Sequence, residues 1–357
     1  MRVLGTIAFA FLLNVIFTPL LIAYSHKKGW YDRLDERKIH NGNIPRTGGV
    51  GIFISFLLSF LLVSLFSGKG DGERLATEPE FLAAGAGCLL MFATGLLDDF
   101  RNLRARYKLI AQILAALIAT AGGLSFGPFL TPFGFTIDVP AFSFIITLLW
   151  IVGVTNAVNL IDGMDGLAGG VSGIAAGFWI FISLATPKGG GVYSILPAAL
   201  LGAVLGFLVY NKPQAKIFMG DTGSLVLGYV LSLFPLFRVE GSSSTRWLLV
   251  GITLLIIPIF DTLAAILRRI REKRSVGDPD RAHLHHKLLN LGWSAPKVLG
   301  LVYLISLMSG GAAYVWILFA TKLSTYYLPL AWVPAGVIFL ILHFKRNTSV
   351  LPKENSR

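Results

Sequence analysis

The feature that most limits what this chain can fold into is a succession of apolar runs. Each is about as long as a helix needs to cross about 30 Å of hydrocarbon. Eleven can be read along the 357 residues, at roughly 3–24, 48–67, 80–97, 108–124, 142–158, 167–186, 194–210, 224–237, 247–267, 298–320 and 328–344. Lipid offers no partner to a backbone N–H or C=O, so a spanning segment satisfies them internally, as a helix. The expectation is an all-α polytopic integral membrane protein of about 11 transmembrane helices, folded as a single domain over residues 1–357. Composition agrees. Residues of the AVILMFWYC set make up 54% and only 14% are charged, against about 25% in soluble domains. Disorder, collagen and a soluble enzyme are excluded. The first run has one charge, Arg2, before it and no A-x-A site after it, so it reads as a retained span rather than a signal peptide. The single Cys88 sits inside an apolar run and offers neither an intramolecular disulfide nor a cysteine metal cluster.

Charge sets the expected orientation. The net charge is +12, and the basic residues lie between the runs. Positive-inside topology accounts for that placement, and no nucleic-acid partner is expected. Alternate connections (25–47, 98–108, 159–166, 211–224, 266–297 and the polar tail 345–357) hold 24 of the 31 lysines and arginines, and the other side holds 7. The first set is therefore expected to be cytoplasmic, with the N-terminus outside and the C-terminus inside.

The same connections carry dense polar chemistry: DERKIHNGNIPRTGG, LLDDFRNLRARYK, NAVNLIDGMDG, NKPQAKIFMGDTGS and DPDRAHLHHK. The opposite ones, such as SGKGDGE and EGSSST, read as spacers. Solvation alone would put charge on both sides. Asp98 and Asp99 close the third run, at the unfavourable negative end of a helix dipole, which calls for a cation or basic partner nearby. Asp162 and Asp165 are three apart and share a helical face with Asn159, while Gly163 and Gly166 permit a ligand to approach closely. Asp221, in FMGDTGS, suits a helix N-terminus, where free N–H groups attract phosphate; as an N-cap it would need no ligand. No GxxxxGK[ST] loop occurs, so Walker-type ATP chemistry is unsupported. His283, His285 and His286 stand among Arg281, Lys287 and five upstream basic residues, a setting that favours an anionic group over Zn²⁺. Lys38, His40, Pro45 and Arg46 in the first inner connection and Lys108 at the fourth run read individually as juxtamembrane residues. Asp261 lies inside the ninth run, where it is either a site residue or a structural hydrogen-bonding group.

Carboxylates suited to Mg²⁺, glycines and phosphate-binding cations thus gather on one face of an apolar bundle. That layout fits a reaction between a cytosolic phosphate donor and a lipid acceptor. At these motifs the sequence resembles the polyprenyl-phosphate N-acetylhexosamine-1-phosphate transferase family, glycosyltransferase family 4. The resemblance runs from about Asp35 to Leu291 and rests on RKIHNGNIPRTGG, DDFRNLRARYKLIAQ, NAVNLIDGMDGLA, FMGDTGSL and the histidine-rich fifth connection. It implies a Mg²⁺-dependent enzyme, with Mn²⁺ as a substitute, that moves sugar-1-phosphate from a UDP-sugar to a polyprenyl phosphate and releases UMP. It makes Asp221 the main metal ligand with Asn159 its partner. It makes Asp98 and Asp99 the essential acidic pair, with Asp162 a third catalytic carboxylate. Lys108 is placed near the phosphates, Asp165 near the uridine, and Arg281, His283, His285 and His286 on the pyrophosphate; Lys38 is a further substrate-binding residue. The spacing His-Leu-His-His resembles the GlcNAc-1-phosphate group more than the group using UDP-MurNAc-pentapeptide, with other UDP-HexNAc donors left open. The implied location is the bacterial inner membrane with a cytoplasmic site, and a homodimer is compatible with it. A secondary transporter is the rival from another class, but the polar residues gather at one interface and no internal repeat is visible. A non-catalytic assembly factor need not keep all these positions together.

Overall fold

A computed structural model describes residues 1–31, 43–66, 78–131, 133–186, 190–237, 244–275, 283–319 and 323–344. Every apolar run has a helical counterpart there. The first half comprises α1 (Arg2–Lys28), α2 (Gly48–Phe66), α3 (Pro79–Arg101), α4 (Ala105–Ala121), α5 (Pro140–Ile161) and α6 (Leu167–Ala185). The second half comprises α7 (Val192–Asn211), α8 (Gly220–Leu233), α9 (Ser244–Leu254), α10 (Ile256–Arg271), α11 (Leu284–Asn290), α12 (Ala295–Phe319) and α13 (Val333–Phe344). A two-residue hairpin, β1 (Phe129–Leu130) with β2 (Thr136–Ile137), is the sheet among the described residues. It occupies a connection that the sequence suggested was a plain spacer. Among the described residues seven helices are long and apolar enough to cross a membrane, and the bent pair α9–α10 makes an eighth when counted as one span. The chain is an all-α polytopic membrane protein.

The burial pattern is that of a protein in lipid. On α1 the residues at four-residue spacing that face inward are Thr6, Ala10, Asn14 and Thr18, while Leu4, Leu12, Ile16 and Leu20 are exposed. Water would favour the reverse; hydrocarbon makes the apolar face the outer one and leaves polar groups to bond across helices. Thr18 Oγ1 accordingly donates to Asn14 Oδ1 at 2.8 Å, and Tyr210 of α7 donates to the Val15 carbonyl at 3.0 Å.

The centre of the bundle is the short helix α8. It packs against α2, α3, α5 and α6, and from Thr222 to Leu233 it is buried throughout. Small residues let its first turn fit so tightly. A Cβ on Gly49 of α2 would overlap the Gly223 nitrogen, and one on Gly95 of α3 would come within 2.5 Å of the Asp221 carbonyl. The chain enters α8 through Gly220 at φ 65, a conformation that strains any residue with a Cβ.

The ninth apolar run is not one helix. It breaks at Leu255 and bends by 84° between α9 and α10. Pro258 is the physical reason: it has no N–H to give the Leu254 carbonyl, and its ring clashes with the preceding turn. The bend swings Asp261 inward, where it is 2% exposed, and leaves Leu263, Leu267 and Ile270 on the exposed side of α10.

Candidate active site

Four connections meet at the start of α8. The first is tied down by backbone pairing. Phe218 N donates to the Pro45 carbonyl, and Gly48 N and Gly49 N donate to the carbonyls of Phe218 and Met219, all at 2.8–2.9 Å. This brings Arg46 to the cluster. Its guanidinium lies 3.8 Å from both Asp99 Oδ1 and Asp221 Oδ1.

The second connection carries the acidic pair, whose two members do different things. Asp99 reaches from the end of α3 to the N-terminus of α8. Its Oδ1 accepts from Asp221 N at 2.8 Å, and its Oδ2 accepts from Thr222 N at 3.0 Å and from the Thr222 hydroxyl. It is a cap supplied from another helix, satisfying N–H groups that have no partner within α8. Asp98 shapes the turn into α4: its carbonyl accepts from Asn102 N, which has the left-handed φ of 51, and its Oδ1 accepts from Leu103 N at 2.7 Å. The turn returns α4 so that Lys108 Nζ lies 2.7 Å from Asp221 Oδ2 and 3.4 Å from Asp98 Oδ2. One turn further on, Gln112 and Asn156 exchange a reciprocal pair of amide hydrogen bonds between α4 and α5.

The third connection, DGMDG, joins α5 to α6. Asn159 Nδ2 donates to Ser224 Oγ at 2.8 Å, which brings the Asn159 amide to the first turn of α8. Asp162 follows the last turn of α5. Removal from water and the Asp221 charge push its carboxyl up to about 8, against the opposing pull of Arg46. Asp165 is buried, and its Oδ2 accepts from Ala215 N at 3.0 Å. Asn211 completes the clamp, accepting from Gly166 N and donating to the Ile217 carbonyl at 2.9 and 2.8 Å. Asp165 therefore holds the DGMDG connection against the 212–217 segment.

The histidine loop is held by Asp261. His283 Nδ1 donates to Asp261 Oδ2 at 2.7 Å, and Leu284 N donates to Oδ1 at 2.8 Å. His285 is buried with its Nε2 unpartnered, and its ring occupies the space that a side chain on Gly163 would need. Burial, reinforced by neighbouring His286, pushes its imidazole down to about 3. A neutral ring offers a hydrogen bond, whereas the sequence suggested a cationic cluster. His286 lies against His285 with ring centroids 4.2 Å apart.

Of the sequence-derived residues, Asp98, Asp99, Lys108, Asn159 and Asp221 are linked at the first turn of α8 by the bonds above, and Asp162 is coupled to Asp221 and Arg46 by charge. His285 touches this assembly through Gly163. Lys38 and Arg281 lie outside the described residues. The oxygens available at this turn, the Asp221 carboxylate and the Asn159 amide, are of the kind that suits a hard cation. Among the described residues no group of three His, Cys, Asp or Glu could hold a metal ion alone. The carboxylate and amide oxygens fit Mg²⁺, which takes one or two protein carboxylates and completes its shell with substrate phosphates and water. Arg46, which the sequence offered only as one of several juxtamembrane residues, and Thr222, which it did not single out, join the cluster. Arg46 stood among other juxtamembrane charges, and Thr222 is the residue beside Asp221.

The family model for glycosyl transferase family 4 matches residues 81–238, which contain this cluster except Arg46 and the histidine loop. The chain is 35% identical over 349 residues to a probable undecaprenyl-phosphate N-acetylglucosaminyl 1-phosphate transferase of Bacillus subtilis, covering 96% of this chain and 90% of that protein. The chain belongs to glycosyl transferase family 4. Within the family it is similar to a decaprenyl-phosphate N-acetylglucosaminephosphotransferase of Mycobacterium tuberculosis, 34% identical over 78% of this chain and 74% of that protein. It is also similar to a phospho-N-acetylmuramoyl-pentapeptide-transferase of Halalkalibacterium halodurans, 32% identical over 85% of this chain and 94% of that protein. It is thus an enzyme of the polyprenyl-phosphate hexosamine-1-phosphate transferase kind that its motifs resemble.

Proposed function

We propose that this enzyme transfers GlcNAc-1-phosphate from UDP-GlcNAc to undecaprenyl phosphate, giving undecaprenyl-pyrophosphoryl-GlcNAc and UMP. The observation that carries the reading is Lys108 bridging Asp221 and Asp98 at the buried start of α8, where four polar connections converge. The names of the Bacillus and Mycobacterium relatives support the donor sugar, as does the His-Leu-His-His spacing. The muramoyl-pentapeptide relative makes UDP-MurNAc-pentapeptide the alternative donor.

An oxygen of the lipid phosphate attacks the phosphorus bonded to the sugar, a new P–O bond forms, and the bond to UMP breaks. Such transfers depend mainly on positioning and electrostatics. Lys108 and Arg46 are the cations that offset phosphate charge at the cluster. Asp98 aligns the acceptor phosphate, which needs no strong base because it is mostly dianionic at neutral pH. Asp162 retains a proton near neutral pH beside Asp221. Asp99 keeps α8 and Asp221 in place. His283, His285 and His286, with Arg281, address the donor pyrophosphate, and Asp165 and Lys38 complete its site. Asp221 and Asn159 are the residues that would hold Mg²⁺, or Mn²⁺ in its place. A bound Mg²⁺ supplies charge neutralisation on the leaving phosphate. The enzyme has eleven spans with the N-terminus outside, the C-terminus inside and this site on the cytoplasmic face of the bacterial inner membrane; a homodimer fits that arrangement.

Purified enzyme given UDP-GlcNAc, undecaprenyl phosphate and Mg²⁺ should release UMP only when lipid and metal are both present. A donor panel should rank UDP-GlcNAc above UDP-GalNAc and UDP-MurNAc-pentapeptide. UMP release without lipid, or accumulation of intact UDP-sugar in vesicles, would reject the transfer reaction.

A further inference from the structure

Helix α4 brings Lys108 to the acidic cluster but is itself weakly keyed to the bundle. Its inward face is built of Ala115, Ala116 and Ala119, each 0% exposed, while the large side chains of Leu109, Ile110, Ile113 and Leu114 are exposed. Apolar contact between helices has little driving force in lipid, because the lipid tails are equally apolar; small residues permit close approach, and hydrogen bonds between helices add specificity. Among the described residues, the side-chain hydrogen bonds that join α4 to other elements come from two residues. Lys108 donates to Asp221 and Asp98, and Gln112 pairs with Asn156 of α5.

These two residues constrain α4 differently. The Lys108 ammonium rides on a flexible four-carbon stem, so it does not fix the rotation of the helix that carries it. Gln112 is 2% exposed and bonded at both ends of its amide. Its Nε2 donates to Asn156 Oδ1 at 3.2 Å, and its Oε1 accepts from Asn156 Nδ2 at 2.6 Å. Asn156 is fixed in turn, because its Nδ2 also donates to the Val152 carbonyl of α5 at 2.8 Å. A carbonyl only accepts, so this bond settles which way round both amides lie. Gln112 follows Lys108 by four residues and Asn156 precedes Asn159 by three. Each amide therefore shares a helical face with a residue of the cluster, one turn away from it.

We propose that Gln112 and Asn156 are positioning residues for the transfer reaction: their reciprocal amide pair fixes the rotation of α4 about its axis and so holds Lys108 between Asp221 and Asp98. The inference rests on the reading of Lys108 as a cation that offsets phosphate charge. A helix carries its Cα atoms at a radius of about 2.3 Å, so a rotation of about 25° moves each by about 1 Å. The alanine face offers little to resist such a turn. A displacement of that size in a catalytic group can cost about 10²-fold in rate. The flexible lysine stem recovers part of it, so the loss expected here is about tenfold.

The test combines steady-state transfer with thermal melting of the full chain, using undecaprenyl phosphate, Mg²⁺ and whichever UDP-sugar the native enzyme turns over fastest. Gln112→Leu should lower kcat about tenfold at unchanged KM for both substrates. It should also lower the melting temperature, because the Asn156 amide loses its partner. Adding Asn156→Leu removes the stranded amide, so the melting temperature should return toward the native value while kcat stays low. A pair that is merely structural would recover both together, and that result would overturn the proposal. So would native kcat in Gln112→Leu. In a Lys108→Ala background Gln112→Leu should cost nothing further in kcat, since its effect passes through the lysine; a second tenfold loss there would place the pair's action elsewhere and reject the inference. Near-native turnover in Lys108→Ala alone would remove the role given to Lys108, and the proposal with it. A large loss in Lys108→Ala beside native turnover in Gln112→Leu would reject the positioning role and leave that of Lys108 standing. If the Leu–Leu variant fails to fold, the Lys108→Ala background still decides.

Discussion

Asp99 and Asp261 each reach from one helix to the N-terminus of another, and the two settings differ. Asp99 caps α8, a helix of 14 residues buried in the middle of the bundle. Asp261 caps α11, a helix of 7 residues at the edge of the site, and also orients His283. The same carboxylate chemistry therefore has different reach. Moving α8 disturbs α2, α3, α5 and α6 together, and Asp221 with them. Moving α11 disturbs the imidazoles and the Gly163 connection they touch. The first cap should be inseparable from the fold, whereas the second should act on donor binding alone.

Four substitutions probe that contrast. Asp221→Asn keeps size and shape but removes the charge that Lys108 faces at 2.7 Å. Turnover should fall by about 10²- to 10³-fold, the usual loss when a charge-stabilising group is removed, with little change in melting temperature. Near-normal turnover would make Asp221 a purely structural residue. Asp99→Ala leaves the N–H groups of Asp221 and Thr222 unmatched, so unfolding should become easier by about 1–3 kcal/mol, with activity falling in parallel. If activity disappears while stability is intact, Asp99 acts on substrate and the proposed difference between the two caps fails. Asp261→Asn retains an acceptor for Leu284 N but loses the ion at His283. The donor KM should rise about tenfold, a hydrogen bond to charge being worth about 1.5–3 kcal/mol, with kcat and melting temperature unchanged. A fall in kcat at constant KM would place Asp261 in the chemical step. Arg46→Gln should have a small effect on stability. Its ion pairs with Asp99 and Asp221 are loose at 3.8 Å and its side chain is 25% exposed, so losing those pairs should cost under about 1 kcal/mol. A larger loss would mean that Arg46 helps to anchor α8.

Much of this was legible before any coordinates. Runs of hydrocarbon-crossing length give the helices, because backbone in lipid has no other way to satisfy its polar groups. Asp98, Asp99, Lys108, Asn159 and Asp221 stood out because their residue types are costly between apolar runs. The division of labour within the Asp98–Asp99 pair was not legible: which carboxylate caps and which faces Lys108 depends on the left-handed turn at Asn102. The break at Leu255 was hidden inside a continuous apolar run, although Pro258 signalled it. Asp261 was visible as an anomaly, but its partner lies 22 residues further on, beyond the bend. His285 resembled part of a cationic cluster, and only burial against Gly163 shows it to be neutral.

The glycines around the first turn of α8 also decide how the enzyme can be engineered. Replacing a helical glycine by alanine ordinarily stabilises by about 0.4–1 kcal/mol, by narrowing the unfolded ensemble. At Gly49, Gly95 and Gly220 that route is closed, because an added methyl collides with the backbone or carboxylate that positions Asp221. At Gly5, Gly85, Gly153 and Gly300 a methyl would meet nothing within 4 Å. The bundle can therefore be hardened for detergent and heat from α1, α3, α5 and α12, leaving the catalytic end as it is.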